Sequence, residues 1–309
     1  MMNARRLSSL KLYDTYALKW RHFCDSHNWN YVFATVGQGL IFLQQLLNNG
    51  SGYSVLNTAR SALSAIIILP SGPAFGSHPD VCLFMKGVFN LKPTKPKYVS
   101  TWDPTVVLSF LEGWSPADYI DLEKLTLKII VLILLITGQR PQIIPKLNIR
   151  NLKSGSDFYE FVLEVTDFKQ GRPNYRPSTI LLKAFKPNKK LCIFRYLTVY
   201  IQKTALLRKE QSQLILTHKK PYKAASAHSI SRWIKQVLTL SGVDIGVFSA
   251  GSTRAASTSK AKEQGASVDQ ILHMGGWSRE TTFNTYYNRP VLPTPVAERL
   301  LNCIDHNTD

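Results

Sequence analysis

From Asp121 to Thr137 the chain is apolar almost all the way round a helix, and the run ends in Thr137-Gly138-Gln139-Arg140. A helix without a polar face must be enclosed by other elements, so this segment predicts the centre of a sizeable core. It does not predict a membrane span: the longest uninterrupted apolar stretch, Ile129 to Ile136, is far below the ~20 residues a bilayer requires. The glycine stops the helix and the arginine follows two residues on, which places a cation at the edge of the core.

The segments around it predict two domains. Leu10 to His27 carries Leu12, Tyr13, Tyr16, Trp20 and Phe23 at helical spacing, and apolar stretches follow at Leu40 to Leu47, Val55 to Leu69 and Val81 to Phe89. Turn-rich breaks at Asn48 to Gly52 and Pro70 to Pro73 separate them. Residues 1–91 therefore read as a helical domain. Residues 92–103, with Lys92, Pro93, Lys95, Pro96 and Lys97 and no apolar periodicity, read as an extended basic linker. A second domain, 104–309, opens with helices at Pro104 to Trp114 and Asp121 to Thr137. Strand-like runs at Phe158 to Val165 and Ser178 to Ala184 predict a hairpin with a basic tip. Further helices are expected at Cys192 to Leu207, Ser226 to Leu240, Ser252 to Gln264, Ser267 to Met274, and one entering Tyr286. The fold class is mainly α with a small antiparallel β-sheet.

Charge points to the partner. The chain holds 38 Lys plus Arg against 20 Asp plus Glu, a formal charge of +18. The excess is present in residues 1–100 (10 basic, 3 acidic) as well as in the remainder (28 and 17), so it is not one basic tail. A polyanion, first of all nucleic acid, suits such a surface. Cys24, Cys82, Cys192 and Cys303 lie far apart in apolar contexts, which predicts buried thiols rather than a zinc site or disulfide frame. The N-terminus lacks the apolar run of a signal peptide, so a non-secreted protein is expected.

Four separated features call for a joint explanation: Arg140 after the buried helix, Lys169 in the hairpin tip, Arg254 in Ser252-Thr253-Arg254 at a helix start, and Gly275-Gly276-Trp277 ahead of Tyr286-Tyr287. Taken singly, each has an ordinary structural explanation. Their order, downstream of a helical domain and a basic linker, resembles the tyrosine recombinase and phage integrase superfamily over nearly the whole chain. The T-G-Q-R-x-Q motif, the lysine before G-R-P, the Phe248 to Ala261 stretch and the Gly276 to Pro290 stretch are similar to the eukaryotic mobile-element branch, the DIRS-like and Crypton-like enzymes.

The resemblance implies an N-terminal core-binding domain and an α+β catalytic domain that cuts and rejoins duplex DNA through a 3′-phosphotyrosyl bond, without nucleotide cofactor or metal. It implies Arg140 and Arg254 as guanidinium clamps on the phosphate, Lys169 as general acid with Arg172 in reserve, and Trp277 as an indole N–H donor. The nucleophile is Tyr287, ten residues after Trp277 and ahead of x-R-P, or alternatively Tyr286. Arg172, Lys92, Lys95, Lys97, Ser252 and Thr253 are expected at the DNA. A homotetramer on DNA, tied by a tail helix with Val296, Leu300, Leu301 and Ile304 on one stripe, and residence in the nucleus follow from the same resemblance. Two positions depart from the superfamily pattern: Gly251 stands where a histidine is usual, and Ile143 where an acidic residue is common. The alternatives are a DNA-binding protein derived from such an enzyme with weakened or lost catalysis, and a type IB topoisomerase, which shares the chemistry.

Overall fold

The computed structural model describes residues 7–163 and 179–292. The chain divides into two units, Met1–Lys95 and Pro96–Asp309.

In the first unit four helices, α1 (Leu7–Ser26), α2 (Val36–Asn48), α3 (Tyr53–Leu63) and α4 (Pro79–Leu91), enclose a core of Trp20, Phe42, Leu43, Leu56, Leu63, Phe75, Val81 and Met85. Thr35 and Gln38 form a reciprocal capping box that starts α2. Gly39 on α2 is needed for packing: a Cβ there would lie 2.3 Å from the Phe75 ring. The expected stripe on α1 holds at Trp20, which is buried and donates its indole N–H to the Tyr31 carbonyl at 2.9 Å, whereas Leu12 is exposed. The helix expected over Val55 to Leu69 ends at Leu63, where the backbone passes into turns. Cys24 is buried as expected, but Cys82 is exposed on α4.

In the second unit α5 (Pro104–Glu112) leads to α6 (Leu122–Thr137), the helix that is apolar all round. Its residues from Leu125 to Leu135 are all buried, because α7 (Ile193–Thr204), α8 (Ala227–Leu240) and α9 (Ser252–Glu263) pack around it. Among the described residues three antiparallel strands, β1 (Leu152–Ser154), β2 (Phe158–Val162) and β3 (Thr179–Lys183), form a sheet in that order, with Leu152 opposite Phe161 and Phe158 opposite Lys183. On β3 Ile180 and Leu182 face the core while Thr179, Leu181 and Lys183 face out, the period-two pattern of a one-sided sheet. Helices α10 (Val268–Gly275) and α11 (Glu280–Tyr286) follow α9.

Residues Tyr98 to Asp103, expected to be linker, are packed onto the second unit. Trp102 is buried and its indole N–H donates to Ser252 Oγ at 2.8 Å. Tyr98 Oη lies 2.7 Å from Ser249 Oγ, and Asp103 caps α5 while holding Lys260 Nζ at 3.0 Å. Two aromatics and a capping aspartate give this stretch specific partners, which proline and lysine content alone conceals. Among the described residues no helix is long and apolar enough to cross a membrane.

Candidate active site

The end of α6 delivers Arg140. Gly138 adopts φ +57°, and its amide donates to the Leu134 carbonyl. A Cβ at this position would meet Met274 Cε and Thr258 Cγ2 at 3.0 Å each, so glycine is required both for the left-handed turn and for the approach of α9 and α10. Gln139 Nε2 donates to the Met274 carbonyl at 3.0 Å. Arg140 follows in extended conformation, exposed, with Nη2 at 3.3 Å from Tyr287 Oη, a contact that spans 147 residues of chain.

Arg254 lies in the first turn of α9 and is 1% exposed. A buried guanidinium must be compensated by acceptors. Nη1 donates to the Gly138 carbonyl at 2.9 Å and Nη2 to the Gly275 carbonyl at 2.7 Å. Both carbonyls belong to helix C-termini, the negative ends of the α6 and α10 dipoles. The Arg254 Cζ is 3.7 Å from the Trp277 ring centroid and 5.1 Å from that of Tyr287. Burial and the nearby charge of Arg140 push the Arg254 pKa below its usual range, and Tyr287 opposes them. A guanidinium still carries its charge at neutral pH.

Trp277 is placed by the two glycines before it. A Cβ on Gly275 would lie 2.0 Å from Trp277 Cζ3, so the indole lies directly over that glycine. Gly276 takes φ +67° and ends α10 in the left-handed conformation. The Trp277 amide then donates to the Leu272 carbonyl at 2.9 Å. Beneath the indole is buried Phe283, 5.4 Å between ring centroids. Among the described residues, Trp277 Nε1 and Arg254 Nε are buried donors without a partner. Such a donor typically costs ~1–3 kcal/mol unless a ligand satisfies it.

Tyr287 closes α11, its ring 4.8 Å from that of Trp277. Tyr286 is 48% exposed. Adjacent residues on a helix project about 100° apart, so only one of the pair can face the arginines, and that one is Tyr287.

Arg140, Arg254, Trp277 and Tyr287 thus meet in one cluster. Lys169 and Arg172 lie outside the described residues, as does the tail with Val296, Leu300, Leu301 and Ile304. Lys92, Lys95 and Lys97 are exposed. Ser252 and Thr253, expected at the DNA, are instead buried. Ser252 Oγ accepts from Trp102 and donates to the Ser249 carbonyl, and Thr253 Oγ1 donates to the Ala250 carbonyl, so both hydroxyls secure the start of α9. Gly251, at the usual histidine position, is exposed just before α9, and the nearest atom to an added Cβ is Ser249 Oγ at 3.8 Å. Ile143 is part of the buried core, whereas its neighbour Gln142 is exposed. Among the described residues no group of three or more His, Cys, Asp or Glu side chains gathers as a metal site would require.

No protein-family model and no curated protein matches the chain. Solved structures do. The XerH site-specific recombinase bound to difH substrate, in its pre-cleavage complex, superposes with a TM-score of 0.55 at 12% identity over 86% of this chain and 69% of that one. Its post-cleavage complex gives 0.54 at 13% identity, covering 86% and 70%. The Tn1549 transposon integrase in complex with transposon right end DNA gives 0.51 at 15% identity, covering 87% and 84%. The fold is that of the tyrosine recombinases. At this identity the likeness speaks for the architecture, and the case for chemistry rests on the site.

Proposed function

We propose that the chain is a site-specific DNA recombinase that cuts and rejoins strands through a 3′-phosphotyrosyl intermediate, with Tyr287 as nucleophile. The observation that carries the reading is the meeting of Arg140, from the end of α6, with Tyr287, from the end of α11, at 3.3 Å beside the buried Arg254. Three segments far apart in sequence bring two guanidinium groups, an unpartnered indole N–H and a phenol to one place, which is what attack on a phosphodiester demands.

In this reading the Tyr287 oxygen bonds to phosphorus, its proton leaves to solvent, and the bond to the 5′-oxygen breaks. Lys169 protonates the departing 5′-oxygen, with Arg172 in reserve. Arg140 and Arg254 hold the non-bridging oxygens, where charge accumulates in the transition state, and Trp277 Nε1 donates to the same group. The phosphotyrosyl bond conserves the energy of the bond broken, so rejoining balances without ATP. Residues 1–91 act as the core-binding domain and residues 104–309, with Tyr98 to Asp103 packed onto them, as the catalytic domain, each on duplex DNA. Exposed Lys92, Lys95 and Lys97 contact its backbone. By the motif resemblance the enzyme belongs to a eukaryotic mobile element, works in the nucleus and assembles as a homotetramer on DNA.

A nicked suicide duplex followed by a denaturing gel tests the reading. Wild type and Tyr286→Phe should form a covalent protein–DNA adduct and Tyr287→Phe should not. DNA binding without any adduct on cognate sites would instead assign a DNA-binding protein that has lost catalysis, with Gly251 as the position where the imidazole is missing. Plasmid relaxation by a monomer, without recombination, would assign a topoisomerase.

A further inference from the structure

Helix α9 holds more than Arg254. Three consecutive hydroxyl residues lie at its middle, Ser257, Thr258 and Ser259, all buried. Thr258 Oγ1 bonds the Arg254 carbonyl within the helix, the ordinary use of a helical threonine. The two serines do something else. Ser257 Oγ donates across to the Leu135 carbonyl of α6, five residues ahead of Arg140. Ser259 Oγ donates to the Tyr287 carbonyl at 2.8 Å and accepts from the Arg289 amide at 3.0 Å. Residues two apart on a helix project about 200° apart, so the serines reach to opposite sides of α9.

We infer that Ser259 is the positioning residue for Tyr287: its hydroxyl bridges the backbone on both sides of Asn288 and fixes the tyrosine to the helix that carries Arg254. The inference rests on the reading of Tyr287 as nucleophile. A tyrosine at the C-terminal end of a short helix has few backbone constraints: the Tyr287 and Asn288 amides both donate to the Phe283 carbonyl, at 2.8 and 2.9 Å, and leave the Tyr287 carbonyl to be held from outside α11. Beyond it the chain is held again, where the Thr101 amide donates to the Pro290 carbonyl at 2.9 Å and Leu292 donates back to Thr101 at 2.6 Å. Ser259 is the side-chain contact closest to the tyrosine's own backbone. Through Ser257 and Ser259 one helix sets where Arg140 and Tyr287 stand relative to Arg254, so the phosphate clamp and the nucleophile share one frame. Ser259 touches no reacting atom; it acts through Tyr287.

The test uses the full chain with 3-fluorotyrosine placed at 287 by codon suppression and observed by fluorine NMR without DNA, beside single-turnover adduct formation on the unlabelled protein. In wild type the resonance should be displaced from that of free fluorotyrosine by the Trp277 ring. Ser259→Ala should move it towards the free position, lower the adduct rate at saturating DNA by on the order of ten- to a hundredfold, and leave duplex affinity within about twofold. Ser259→Cys, which keeps a weaker donor on a somewhat larger side chain, should lie between. An unmoved resonance in Ser259→Ala, or a moved one with an unchanged adduct rate, overturns the inference. A moved resonance in a protein whose wild type makes no adduct upholds the anchoring by Ser259 and refutes the recombinase reading instead.

Discussion

Replacing Gly275 by alanine tests how the site is built with a single methyl group. The new Cβ would lie 2.0 Å from Trp277 Cζ3, 2.3 Å from Cε3 and 2.8 Å from Cη2, all rigid ring atoms, so the indole has to leave its seat. Overpacking of this kind costs ~1–3 kcal/mol. Losing the stack of Arg254 on the indole, 3.7 Å from the ring centroid, adds ~0.5–2 kcal/mol. A total destabilisation of about 1.5–5 kcal/mol is expected from guanidinium unfolding followed by tryptophan fluorescence. Gly276→Ala is the control. Its φ of +67° makes an alanine there cost ~1–2 kcal/mol, but nothing lies within 4 Å of the added methyl, so the indole stays over Arg254. Single-turnover adduct formation should therefore fall at least tenfold, equivalent to ~1.4 kcal/mol, in Gly275→Ala and stay within about threefold of wild type in Gly276→Ala. A loss of stability under about 0.5 kcal/mol in Gly275→Ala, or equal losses of activity in the two variants, would refute the assembly of Gly275, Trp277 and Arg254 described here.

Two further outcomes concern the core and the charge. Lys128 is fully buried on α6, where its ammonium donates to the carbonyls of Leu111, Trp114 and Lys190 at 2.7, 2.8 and 2.7 Å and lies 3.8 Å from the Tyr196 ring centroid. Lys128→Met keeps the stem and strands three acceptors, so denaturant unfolding should show a loss of about 2–4 kcal/mol; a loss under about 0.5 kcal/mol would mean that the ammonium is not caged. Replacing Lys92, Lys95 and Lys97 together by alanine should reduce the slope of log affinity for duplex DNA against log salt by about 0.9 per lysine that contacts a phosphate, and an unchanged slope would remove the three from the interface.

Much of the fold was legible in the sequence because its signals are local and periodic. The all-round apolar run of α6, the glycine stop at Gly138 and the alternation on β3 each declare their element within a few residues. β1 was not legible: Leu-Lys-Ser is three residues long and exposes two of them, too short to show alternation, and it exists through its pairing with β2. Tyr98 to Asp103 read as linker because the partners that hold them, Ser249, Ser252 and Lys260, are about 150 residues away. Lys128 carried no sign of its cage, since nothing in the sequence tells it from Lys124, one turn earlier in the same helix and left partly exposed.

The site divides in the same way. Arg140, Arg254, Trp277 and the tyrosine pair were readable as a motif order, and the geometry chooses Tyr287 through its contact with Arg140. The resemblance puts Ser252 and Thr253 at the DNA, but a hydroxyl at a helix start bonds local carbonyls as readily as a phosphate, and here both do. Ser257 and Ser259 fall within the Phe248 to Ala261 stretch of the resemblance, but nothing in their local sequence assigns them a partner, and only the bonds to Leu135 and Tyr287 reveal their use.

The most direct measurement of the central claim is tandem mass spectrometry of the trapped protein–DNA adduct. The account predicts a nucleotide joined by its 3′-phosphate to the Tyr287 oxygen, with a free 5′-hydroxyl on the released strand. Attachment at Tyr286 or any other residue, or a wild-type protein that yields no covalent species on its cognate DNA, would contradict it.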